Sequence, residues 1–105
     1  MKLLTKAIEA KLAKAPLYST DGQKVKPVIV KFFNPTGSWS WYVVEGVKTE
    51  DGDWRFFGLV DGFEKEWGYF TLSELQSVRG RFGLGIERDM WFDGKQVSTE
   101  TNSVL

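Results

Sequence analysis

Three sets of side chains in this chain have the types and spacing to do chemistry. Trp39 and Trp41 stand two apart in one strand-forming run and Trp67 lies in another, and aromatic faces can hold a nucleic-acid base or a sugar at about 1–3 kcal/mol per stacked base. Arg79, Arg81 and Arg88 flank a loop punctuated by Gly80, Gly83 and Gly85, where guanidinium forks and free amides would suit a phosphate or carboxylate. Asp61, Glu64 and Glu66 gather around one turn. A carboxylate pair there could act as general acid and base for glycoside cleavage, or hold a hard cation through oxygen.

Each set also has a plainer reading. Large aromatics suit strands and supply buried area to a small core. The glycine loop follows a helix, whereas phosphate-binding loops lie between a strand and a helix. Turn acids solvate well and shape turns. Neither histidine nor cysteine occurs, which removes disulfides, thiolate nucleophiles, zinc sites of the Cys/His type and every Ser-His or Cys-His arrangement. No cofactor and no metal site is expected.

The elements that must position these residues fit one domain of 105 residues, with 42% apolar and 27% charged side chains, outside the regime of disorder. Fourteen basic residues balance fourteen acidic ones. The whole molecule therefore lacks the positive field that drives non-specific nucleic-acid binding, although a local basic patch remains open. No signal-peptide apolar region or bilayer-spanning run appears, so a cytoplasmic protein with no membrane association is expected.

Leu4, Ile8 and Leu12 recur with helical period behind the N-cap candidate Thr5, and Pro16 ends that helix near residues 13–15. Residues 28–33 read as a strand, and Asn34-Pro35-Thr36-Gly37 as a type I turn. The next strand carries Trp39, Trp41, Val43, Glu45 and Val47 on one face by strict alternation. Asp51-Gly52 signals a hairpin. The returning strand puts Trp54, Phe56, Gly58 and Val60 on one face and Arg55, Phe57, Leu59 and Asp61 on the other.

After a turn at residues 61–65, residues 66–70 read as a fourth strand. Thr71 and Glu74 have capping-box spacing, with Phe70 and Leu75 placed as a hydrophobic staple. That helix runs to Arg79, and Gly80 is expected to supply a left-handed stop. Residues 86–92 form one more candidate strand. The fold expected is α+β, an antiparallel meander of four or five strands with an N-terminal helix and a second short helix packed on it. Residues 1–94 are assigned to the domain and 95–105 to a flexible C-terminal tail.

Met1 to Lys6, Pro16 to Thr20, Lys31 to Phe33, Trp39 to Tyr42, Asp51 to Trp54, Phe56 to Val60, Glu66 to Phe70, Leu72 to Leu75 and Ile86 to Asp89 together resemble a small bacterial family, domain of unknown function 2958. The resemblance spans residues 1–92 with the segments in the same order. It implies an accessory protein of plasmids, phages or conjugative elements, of the kind encoded near antirestriction genes, and brings no catalytic residues to carry over. The function expected is a monomeric, non-enzymatic binding module that takes a protein or nucleic acid through an aromatic and arginine surface. The alternatives are a carboxylate-dependent hydrolase using Asp61, Glu64 and Glu66, and self-association through an open sheet edge.

Overall fold

The computed structural model describes residues 1–105. Helix α1 (Lys6–Ala13) starts where Thr5 Oγ1 accepts the Ile8 amide at 3.2 Å. Strand β1 (Val25–Pro27) is followed by β2 (Val30–Phe33), β3 (Ser40–Lys48), β4 (Trp54–Asp61) and β5 (Lys65–Thr71). Helix α2 (Leu72–Ser77), a 3-10 turn over Arg81–Gly83, and the short strands β6 (Glu87–Arg88), β7 (Gln96–Ser98) and β8 (Ser103–Val104) complete the chain. No helix is long and apolar enough to cross a membrane.

The α+β fold with a five-stranded antiparallel sheet is as the hydrophobic pattern predicts. Its order is β5-β4-β3-β2-β6. The β2–β3 turn closes through the Gly37 amide on the Asn34 carbonyl, and the β3–β4 turn through Gly52 on Thr49. On one face, called here the helical face, Leu12 of α1 and Leu75 of α2 join Val30, Phe32, Trp41, Val43, Trp54, Phe56, Phe70 and Ile86 in the main core. The capping box forms: Thr71 Oγ1 accepts the Glu74 amide at 3.1 Å, and the Glu74 carboxylate returns to the Thr71 hydroxyl rather than to its amide.

Three expectations are overturned. The second helix stops at Ser77, because Val78 is already extended, and Gly80 is extended too (φ −90°) rather than left-handed. A side chain there would collide with the Thr36 hydroxyl, so Gly80 serves close approach to the β2–β3 turn. Residues 95–105 are not a loose tail. Strand β7 pairs with β1 and β8 in a second, three-stranded sheet, and Val97 is fully buried against Tyr42 and Leu59 on the face opposite the helices. The molecule thus has three layers, and the C-terminal strands are one of them.

The third correction concerns β3. The pairing of β3 with β4 shifts between Val43 and Glu45, a β-bulge that leaves Val44 as the extra residue. One extra residue reverses the alternation. Trp41 and Val43 face the helices, but Glu45 lies opposite Phe57 and Val47 opposite Arg55, on the other side of the sheet from where strict alternation puts them. Gly58 faces this kink, and a Cβ there would strike the Tyr42 carbonyl.

Candidate functional site

The bulge turns Glu45 into a second interior. Its side chain is 1% exposed, a position a carboxylate occupies only when its oxygens are satisfied. Oε1 accepts the Tyr18 amide at 2.7 Å, and Oε2 accepts the Thr20 amide at 2.9 Å together with the Thr20 hydroxyl. Lys26, also buried, donates from Nζ to the Thr20 carbonyl and to Thr20 Oγ1, both at 2.9 Å. Ammonium and carboxylate are therefore linked through one threonine. No buried side-chain nitrogen or oxygen is left without a partner.

The Lys26 ammonium also lies over the rings of Phe57 and Trp67, 5.6 and 5.8 Å from their centroids. Those two rings stack at 5.7 Å, and Trp67 Nε1 is fixed by Asn102 Oδ1 at 2.8 Å. Tyr69 continues the row, 5.0 Å from Phe57, and the exposed Arg55 guanidinium lies over it at 4.8 Å. Tyr18 and Tyr69 are 65% and 44% exposed. The neighbouring Tyr18 hydroxyl, above all, holds the Tyr69 phenol above the ordinary tyrosine pKa; desolvation and the charges of Glu45 and Asp21 add to this. Tyr18, Arg55, Phe57, Trp67 and Tyr69 make a contiguous shelf at the free β5 edge of the sheet. Beneath it, the Glu45–Thr20–Lys26 network fixes the loop that carries Tyr18.

Of the residues singled out from the sequence, Trp67 belongs to this shelf. Trp41 is core, and Trp39 lies beside it on the helical face with ring centroids 6.0 Å apart. The three arginines do not converge on one ligand. Arg88 donates to the Lys2 and Leu3 carbonyls at 2.5 and 3.2 Å and so ties down the N-terminal segment. Arg79 donates to the Gln76 and Val78 carbonyls at the end of α2, and it lines a cavity of about 410 Å³ with Met1, Leu84 and Glu87. Arg81 is exposed; its amide donates to Thr36 Oγ1 and its carbonyl accepts the Leu84 amide, while its guanidinium makes no hydrogen bond.

Asp61 pairs with Lys65 across the sheet, whereas Glu66 pairs with Val60, so Asp61 and Glu66 point to opposite faces. Glu64 and Glu66 share a shallow cleft with Trp39, Val60 and Phe63. The three carboxylates do not assemble into a set of metal ligands.

Sequence reasoning missed Arg55, Tyr18, Tyr69, Lys26 and Glu45 as one unit. One signal was present: strict alternation would have put the Glu45 carboxylate among the core tryptophans, a conflict that only a bulge resolves.

No curated protein and no solved structure matches the chain. A family profile does, over residues 3–101, a span that includes β7 and so extends beyond the resemblance read from the sequence. The chain belongs to that family, described as Protein of unknown function (DUF2958).

Proposed function

We propose that the protein is a non-enzymatic binding module whose partner docks on the Tyr18–Arg55–Phe57–Trp67–Tyr69 shelf, and that this partner is a protein. The observation that carries the reading is the Arg55 guanidinium stacked on a half-exposed Tyr69, at the end of a row of rings fixed from below. Tyr, Trp and Arg are the residues that dominate protein interfaces, and a ring row already locked in place loses little side-chain freedom on docking. Affinity for nucleic acid depends on several phosphate contacts. The shelf offers one exposed guanidinium, while Arg79 and Arg88 are committed to backbone carbonyls elsewhere. An accessory role in the cytoplasm, in the mobile-element or host-defence setting that the family resemblance implies, suits such a module.

The test has two arms. Short single- and double-stranded DNA, titrated at low salt against the five indole N–H resonances, is expected to leave the Trp67 signal and the residue 55–69 amides in place. A photo-crosslinking amino acid at position 69, introduced in cells, is expected to give a protein adduct that is lost with Arg55→Ala and kept with Arg81→Ala. Salt-sensitive DNA shifts confined to the shelf would move the assignment to nucleic acid. An adduct indifferent to Arg55→Ala, with no DNA shifts, would remove the shelf as a docking surface.

A further inference from the structure

A second aromatic site, of opposite charge, lies on the other face of the same sheet. Trp39, Val60, Phe63, Glu64 and Glu66 line a cleft of about 270 Å³, just under the roughly 300–1,000 Å³ of small-molecule sites and suited to one extended side chain. The Trp39 and Phe63 rings meet edge to face at 5.3 Å and form a corner. The corner is built by the backbone: a Cβ on Gly62 would come within 2.6 Å of the Trp39 six-membered ring, so only glycine lets the indole lie there. Phe63 is 95% exposed beside it, an arrangement with no evident value to the core.

The two carboxylates at this corner have no cation. The two ion pairs of the molecule, Lys24–Glu100 and Lys31–Asp89, lie elsewhere, and neither Lys nor Arg lines the cleft. Lys65, between Glu64 and Glu66 in sequence, pairs with Asp61 on the opposite face. Nor does either carboxylate accept a hydrogen bond from any backbone amide or side chain, in contrast to Asp51, Asp53 and Glu45.

We propose that this cleft receives an arginine side chain from an exposed segment of a protein partner. A planar guanidinium can stack on the indole while its N–H groups reach two carboxylates, which an ammonium cannot do in the same pose. The site is separate from the shelf and does not depend on it.

The probe is an acetylated glycyl-arginyl-glycinamide peptide, followed by the Trp39 indole N–H resonance. Its citrulline counterpart is the neutral isostere, and its lysine counterpart supplies charge without a planar fork. The arginine peptide is expected to shift Trp39 saturably in the millimolar range, with the other four indoles still, and the citrulline peptide to leave it unmoved. Glu64→Gln with Glu66→Gln, both exposed and so compatible with folding, is expected to weaken binding about tenfold. Phe63→Ala should weaken it as well. An unmoved Trp39, an equal response to the citrulline or lysine peptide, or undiminished binding by the double variant would each overturn the proposal. Loss of the shelf reading would not, because Tyr69 and Arg55 take no part.

Discussion

The shelf on β4 and β5 and the arginine loop at residues 79–88 contain the same kinds of residue and behave in opposite ways. In the loop, Arg79 spends its guanidinium on carbonyls that the end of α2 leaves unpaired, and Arg88 spends its own on carbonyls of the irregular segment before α1. On the shelf, Arg55 belongs to β4, whose backbone is paired on one side by β3 and on the other by β5, and its guanidinium rests on a ring facing solvent. An arginine is available for recognition when the backbone around it is already paired. Sequence spacing reports where arginines cluster and says nothing about that prior demand.

The largest test of this contrast removes the kink beneath the shelf. Gly58→Ala places a methyl against the Tyr42 carbonyl, and relief requires the bulge to move and Glu45 with it. A destabilisation of about 3 kcal/mol is expected, read from the urea midpoint, with amide shifts concentrated at residues 18–26 and 55–69 and the loop at 79–85 little changed. Equal disturbance of both regions would mean that they are not independent.

A smaller break leaves the backbone alone. Glu45→Gln keeps the shape, but one carboxylate oxygen becomes an amide N–H facing donors, with an expected loss of about 1–3 kcal/mol. The Tyr18 and Thr20 amides should move most, and crosslinking from position 69 should weaken as Tyr18 loosens. A variant as stable as the parent would show that the network contributes nothing net.

Acid sharpens the comparison from the other side. Asp53 Oδ1 accepts the Ser73 and Trp54 amides, and Oδ2 accepts the Ser73 hydroxyl at 2.6 Å, tying the β3–β4 turn to the start of α2. The Ser73 hydroxyl is the main reason the Asp53 carboxyl titrates below the ordinary 3.8; Thr49 does the same for Asp51. Groups with lowered folded pKa values give their full stabilisation above about pH 3.8 and lose it as the pH falls further. The Ser73 amide should therefore shift below pH 3.8, and in Asp53→Asn this acid step should disappear. Both carboxylates are solvent-exposed, so the effect on global stability is the smallest of the three.

Much of the architecture was legible because it rests on local chemistry. Asp51-Gly52 makes the β3–β4 turn, Thr71 and Glu74 start α2, and Leu12 with Leu75 marks the inward faces. The shelf was not legible, because three non-local facts create it. The bulge at Val44 depends on what Gly58 allows across the ladder, and Lys26 is buried only because β7 pairs with β1. Trp67 is fixed by Asn102, 35 positions away in the chain. The polar composition of residues 95–105 concealed one residue, Val97, whose burial holds the third layer in place.

That third layer has a consequence for synthesis on the ribosome. The meander from β2 to β5 can zip up as it emerges, each strand meeting its predecessor. Val25 must wait for Ser98, and Tyr42 and Leu59 for Val97. For the interval in which residues 65–95 are translated, the nascent domain carries a bare apolar face and a lysine without its cover. Chaperone engagement with the growing chain should peak there and end when the Gln96–Val104 hairpin arrives.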